Sequence, residues 1–197
     1  AWVDYTIYKS VENKREGLIY VGNIIPRKGV LFLIKNFHEY NKKYNLKEKF
    51  LIVGEIQNLE YFNECNDFIK KNNIDYIQFL DSQLPEDLSK IYSSSRLLLM
   101  ASNYEGLPRV LIESGLCGTP SLASNIQGIR DPFGKYGGTI LYELNDSRDF
   151  QEKLHYFLNH VDIQRNLKEK AITLSSKLSG ENRFTENWKK IEEKVYE

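Results

Sequence analysis

Short apolar runs alternate along the chain with longer segments whose apolar positions recur every three or four residues, a pattern of strands separated by amphipathic helices. Strands are predicted at Gly17 to Val21, Phe50 to Val53, Ile74 to Leu80, Arg96 to Ala101, Ser121 to Ser124 and Thr139 to Leu144. Helices are predicted at Val30 to Tyr44, where Leu33, Ile34, Phe37 and Tyr40 share a face, and at Tyr61 to Lys71, with Cys65, Phe68 and Ile69 inward. Leu84 to Tyr92 starts with Pro85, Glu86 and Asp87, acidic residues suited to a first turn. Pro108 to Cys117 reads as the next helix, with Pro108 in its first turn, where a missing N–H costs nothing. Glu113 then falls about a turn and a half inside it. From Ser147 onward the chain reads as mostly helical, with a turn near Ser179 and Gly180.

Leu97, Leu98, Leu99 and Met100 are apolar on both faces of their strand, as expected of a central parallel strand covered above and below. The fold class that follows is α/β, a doubly wound parallel sheet of about six strands with helices on both faces. Residues 1–16 show no period and read as a lead-in or linker, 17–180 as one domain and 181–197 as a last helix. In such a sheet ligands bind beyond the carboxyl ends of the strands. Two loops lie there, Gly22 to Gly29 and the stretch from Ser102 into the Pro108 helix.

Composition narrows the classes. The 197 residues suit one α/β domain, and 27 basic against 27 acidic residues leave no global field to recruit nucleic acid or an anionic membrane. Cys65 and Cys117 lack metal or redox spacing and read as small buried apolar groups of a reducing compartment. No apolar run reaches membrane-spanning length, and no targeting pattern opens the chain, so a soluble cytoplasmic protein is expected. The absence of an initiator Met suggests a processed chain or a piece of a longer one.

Arg27-Lys28-Gly29 places cations beside the free amides of a helix start, an arrangement that attracts phosphate and that also occurs in plain solvated loops. Neither GxxxxGK[ST] nor GxGxxG is present, which argues against ATP hydrolysis and nicotinamide binding. Glu105 and Glu113 are compatible with an acid/base pair of a glycoside hydrolase, with a clamp on sugar and ribose hydroxyls, or with structural acids. No Asp-x-Asp occurs, which weakens any scheme holding a nucleotide diphosphate through a divalent metal. His38, His155 and His160 fall within helices and form no set with a nucleophile.

The run from Glu105 through Gly106, Leu107, Pro108, Arg109, Val110, Leu111, Ile112 and Glu113 to Ser124, followed by Gly128, resembles the E-x7-E signature of group 1 retaining glycosyltransferases. That family has the GT-B fold of two Rossmann-like domains. The similarity extends to Tyr20-Val21-Gly22 through Lys28-Gly29, to Leu51-Ile52-Val53-Gly54 and to Phe79-Leu80, in the right order. It implies the carboxy-terminal, donor-binding domain of a hexosyltransferase-like enzyme that is metal-independent and needs no cofactor. The resemblance places Lys28 on the diphosphate, Glu105 on the transferred sugar and Glu113 on the ribose. Gly22, Asn23 and Arg27 would line the phosphate side, and the amides of Arg109 to Leu111 would face phosphate or sugar. Phe79 and Leu80 would meet the base, mainly through backbone atoms. Asn23 stands where the family often has Arg, and Pro108 where many members have a second glycine.

The implied partners are a nucleotide-sugar donor and, through a missing amino-terminal domain, an acceptor glycan, lipid or protein. The full-length protein is expected in the cytoplasm or at the cytoplasmic face of a membrane, and this chain alone is expected to transfer little. Two other readings stay open: a non-catalytic nucleotide-sugar or partner-binding module of the same fold, and a GT-B-like epimerase or hydrolase.

Overall fold

The computed structural model describes residues 3–134 and 137–179; the helix expected over 181–197 lies outside the described residues. All six expected strands form: β1 (Leu18–Val21), β2 (Phe50–Val53), β3 (Ile77–Leu80), β4 (Leu97–Met100), β5 (Ser121–Ser124) and β6 (Thr139–Tyr142). They make one sheet in the order β3-β2-β1-β4-β5-β6, every pairing parallel. The order reverses between β1 and β4, so the switch point lies at their carboxyl ends. The helices are α1 (Val30–Tyr44), α2 (Leu59–Lys71), α3 (Pro85–Ser94), α4 (Arg109–Leu116), the single turn α5 (Gln127–Ile129), α6 (Ser147–Asn159) and α7 (Val161–Leu178).

The period-two geometry of a strand divides the core. Leu97 and Leu99 of β4 join Leu33 and Phe37 of α1 and Phe150 and Leu154 of α6 on one face of the sheet. Leu98 and Met100 join Tyr92 of α3, Ile112 of α4 and Leu174 of α7 on the other. A strand apolar at every position is thus used on both sides, as its sequence requires.

Element ends differ from expectation where local hydrogen bonds decide them. The third strand begins at Ile77 instead of Ile74, because Asn73 adopts a left-handed conformation (φ 51°) and the Ile74 amide donates to the Ile69 carbonyl, closing α2. At its other end α2 starts at Leu59, capped by the Asn58 side chain, which accepts from the Tyr61 amide at 2.8 Å. Pro108 is not in the first turn of α4. Its ψ of 112° is extended, so it occupies the capping position, and Glu113 lies little more than one turn into the helix. The loop from Asn125 holds α5 and a wide helical turn over Arg130–Gly134.

Residues 3–16 contain no helix or strand, yet they are fastened to the domain. Val3 and Tyr8 are buried beside α3 and α4, and the Ser89 hydroxyl donates to the Ile7 carbonyl at 2.9 Å. The Arg15 guanidinium donates to the Thr119 hydroxyl and the Cys117 carbonyl, both at 2.7 Å, and to the Ser95 carbonyl at 3.0 Å. A cation here satisfies carbonyls left open where α3 and α4 end.

Gly29 fixes the distance between the two loops at the switch point. It joins a single 3-10 turn (Pro26–Lys28) to α1 at φ 66°, and a Cβ there would lie 2.3 Å from the Ala101 carbonyl oxygen at the end of β4. Gly106, in contrast, has open space around an added Cβ. Gly29→Ala is expected to lower unfolding stability by about 2–3 kcal/mol, combining left-handed strain with a backbone clash. Gly106→Ala should change it by less than about 0.5 kcal/mol. Urea unfolding measures both, and equal midpoints for the two variants would refute this account.

Candidate active site at the switch point

The loop after β1 and the loop after β4 are joined by backbone first: the Asn103 amide donates to the Arg27 carbonyl at 2.9 Å. Side chains then converge across the join. Lys28 Nζ sits 2.5 Å from Glu105 Oε1, with the two side chains only 17% and 10% exposed. Arg27 donates to the Tyr104 carbonyl at 2.6 Å and approaches the same Glu105 oxygen at 3.7 Å. Two cations therefore share one carboxylate, a local surplus of one positive charge beside the amino end of α4. Such a site favours an anion with several oxygens.

A third loop completes the crevice. A Cβ on Gly128 would lie 1.9 Å from the Glu105 carbonyl oxygen, so the chain after β5 presses on the backbone of Glu105 at a distance only glycine allows. The open cleft beside this contact has a volume of about 540 Å³ and is lined by Tyr104, Glu105, Gly106, Gln127, Gly128 and Asp131, among others. Gln127 and Asp131 carry no local sequence signal of a site, since only the folding of the loop after β5 brings them to Glu105.

Glu113 is separated from this crevice by its burial. Its side chain is 8% exposed, packed where α4 meets α3; Tyr92 Oη donates to Oε2 at 3.4 Å, and Arg109, one turn earlier on α4, stands 3.5 Å from Oε1. Burial pushes the Glu113 carboxyl above its ordinary pKa, while Arg109 and the Tyr92 hydrogen bond pull it back. Tyr92, which the sequence marks only as the end of the helix expected from Leu84, is thus in contact with a site candidate.

The other expected residues divide into two groups. Gly22 ends β1, and Asn23 donates from its amide to the Gln57 side chain at 2.8 Å, which in turn donates to Glu55 at 2.8 Å, so Asn23 ties the loop after β1 to the loop after β2. Leu111 is a core residue, and Leu107 and Val110 pack against the same apolar cluster, leaving only their backbones for a ligand. The Leu111 amide donates to the Pro108 carbonyl at 3.2 Å, so the open amides of the first turn are those nearer Arg109. Phe79 packs edge-on against Phe62 at 5.0 Å and Leu80 is partly exposed; both end β3, the edge strand two places from the switch point. Among the described residues no group of three or more His, Cys, Asp or Glu side chains could hold a metal ion, and no helix is long and apolar enough to cross a membrane.

Fold and crevice together define a Rossmann-like α/β domain of the kind that forms half of GT-B proteins. The family follows from comparison with known proteins: the model described as glycosyl transferases group 1 matches residues 7–174, and the chain belongs to that family. An uncharacterised glycosyltransferase of Methanocaldococcus jannaschii is 26% identical over 164 residues, which are 83% of this chain and 44% of that relative. The chain thus spans less than half of that relative's length. Among solved structures, the carboxy-terminal domain of the group 1 glycosyl transferase LpcC from Francisella tularensis shares the fold with a TM-score of 0.78 at 18% identity, covering 87% of this chain and 95% of that one. Anabaena HepE, solved in complex with UDP and glucose, shares it with a TM-score of 0.79 at 16% identity, over 89% of this chain and 50% of HepE.

The raised pKa of Glu113 has a sign that unfolding can read. A carboxyl raised in the folded state contributes stability that is complete below its ordinary pKa and is lost as pH rises through the folded value. Glu113→Gln stays neutral and cannot lose it. The melting temperature of the variant relative to wild type is therefore expected to rise by a few degrees between about pH 4 and about pH 8. A difference that does not change with pH would contradict the burial cost assigned to Glu113.

Proposed function

We propose that the chain is the donor-binding domain of a retaining, metal-independent glycosyltransferase, which moves a hexose-like sugar from a nucleotide diphosphate to an acceptor. The observation that carries this is the convergence of Lys28 and Arg27, from the loop after β1, on Glu105, from the loop after β4, at the switch point. As the anomeric carbon–oxygen bond breaks, negative charge develops on the leaving diphosphate. Lys28, Arg27 and the open amides at the start of α4 stabilise it where a metal would otherwise be needed. Glu105, already fixed by those cations, orients the sugar and favours positive charge at its anomeric carbon. Glu113 accepts hydrogen bonds from the ribose hydroxyls. The complex of HepE with UDP and glucose shows that a protein of this fold takes such ligands, and uridine diphosphate sugars are accordingly the first donors to try.

An acceptor glycan, lipid or protein then reaches the sugar from a second domain, in the cytoplasm or at the cytoplasmic face of a membrane. No cofactor takes part in this scheme. The alternatives make different products: an epimerase or hydrolase releases epimer or free sugar without acceptor, and a binding module holds donor with no turnover in the intact protein.

Calorimetric titration of this chain with uridine, guanosine and adenosine diphosphate sugars is expected to show one-site binding of at least one of them, and binding of none would sink the proposal. In the intact enzyme, Lys28→Ala and Glu105→Ala should each cut transfer at least about 100-fold, the scale of losing a charge stabiliser in the transition state. Glu113→Ala should chiefly weaken nucleotide binding, by about tenfold. Wild-type rates from either of the first two variants would reject their roles.

A further inference from the structure

We infer that Tyr92 is a positioning residue for the ribose-binding carboxylate: its phenol anchors the inner oxygen of Glu113 so that the outer oxygen is presented to the ligand. The inference rests on the reading of Glu113 as the ribose acceptor. Tyr92 is fully buried on α3, and its ring fills the space between that helix, α4 and Tyr8 of residues 3–16, which meets it edge-on at 6.2 Å. Phenylalanine would fill that volume equally well, so the hydroxyl is not explained by packing. A buried phenol needs a partner, and here the partner is Glu113 Oε2.

The two oxygens of Glu113 thereby become inequivalent. Oε2 faces inward to Tyr92, whereas Oε1 lies on the side of Arg109, whose side chain is 60% exposed. A diol arriving from solvent meets Oε1, and Arg109 can swing outward to admit it. Neither contact is short, at 3.4 and 3.5 Å, which leaves room for both to tighten around a bound hydroxyl.

The groups facing Glu113 are few. Arg109 stands on its own helix, Tyr92 comes from α3 and Tyr8 from residues 3–16; the Cys117 thiol, just past the end of α4, borders Ser89 and acts on the two tyrosines. Burial pushes the Tyr8 hydroxyl up to about 12, and it also raises Tyr92 and Cys117, so none of the three ionises in the acid-to-neutral range. The terminal phosphate of the nucleotide itself takes up a proton near about pH 6, so the part of the acidic limb that belongs to Glu113 is the part that Glu113→Gln removes; losing a donor that favours its ionised form moves that part to higher pH.

The test uses the full 197-residue chain with uridine, guanosine and adenosine diphosphate, carrying forward whichever binds most tightly, in titrations from about pH 5 to about pH 8. Tyr92→Phe is expected to weaken binding about five- to tenfold near pH 6, with a smaller loss at pH 8 and the acidic limb displaced upward. Glu113→Gln should weaken binding about tenfold and keep only the acidic limb of the nucleotide's own phosphate, and the double variant should bind no worse than Glu113→Gln alone. A Tyr92→Phe penalty that persists in full on the Glu113→Gln background marks a purely structural role and overturns the inference. Wild-type affinity and pH midpoint in Tyr92→Phe overturn it too, while leaving the ribose role of Glu113 intact. Wild-type affinity in Glu113→Gln, or binding of none of the three nucleotides, removes that role and this inference together. Because the phenylalanine ring preserves the packing, the melting temperature of Tyr92→Phe should stay within a few degrees of wild type, so a loss of affinity cannot be assigned to unfolding.

Discussion

The proposed donor site depends on keeping Lys28 and Glu105 together at the switch point of the sheet. Their pair is short and mostly out of water, and such pairs seldom stabilise a fold, because the desolvation of both charges offsets most of their attraction. The scaffold must therefore supply the proximity. It does so without using charge: Gly29 lets the backbone of the first loop lie against Ala101, the Asn103 amide closes on the Arg27 carbonyl, and Gly128 lets the third loop press on Glu105. Three backbone contacts place the side chains, and the side chains then carry the field.

Helix α4 does two jobs with one sequence. Its start opens on the crevice through Pro108, whose extended conformation turns the first amides outward, and its apolar face, with Leu111, Ile112 and Leu116, is core. Glu113 lies between these roles, buried at a cost in the ionised form that Arg109 and Tyr92 only partly relieve. A carboxylate kept there against the preference of the fold is better explained by a ligand than by stability. The other end of α4 is held by Arg15, so the residues that precede the sheet stiffen the same helix that carries the site.

Much of the architecture was legible because the strands obey one rule. Four consecutive apolar residues at Leu97 to Met100 need cover on both faces, and that alone implies a parallel sheet flanked by helices. The approach of the Gly22 to Gly29 loop to the stretch that holds Glu105 followed from topology once both were placed at strand carboxyl ends, whereas the ion pair between them shows only in the structure. What could not be read was set by contacts distant in sequence. Arg15 sits in a charged run that looks like linker, and its partners lie 80 residues and more away. Tyr92 has the spacing of any core aromatic, and its hydroxyl acquires meaning only from α4. The start of β3 was misplaced for a local reason, a left-handed Asn73, which apolar spacing does not report.

The charges of Lys28, Arg27 and Glu105 also bear on how the proposed site would take a donor. With no anion present, Glu105 neutralises part of the charge of Lys28 and Arg27, so the loops do not repel each other. A diphosphate brings more negative charge than one carboxylate, and an ammonium with three donors can serve both at once. On the proposed reading Glu105 would be shared, not displaced, with its second oxygen left for the sugar. The cations that hold Glu105 here would then be the ones that orient it against a donor, with little rearrangement on binding.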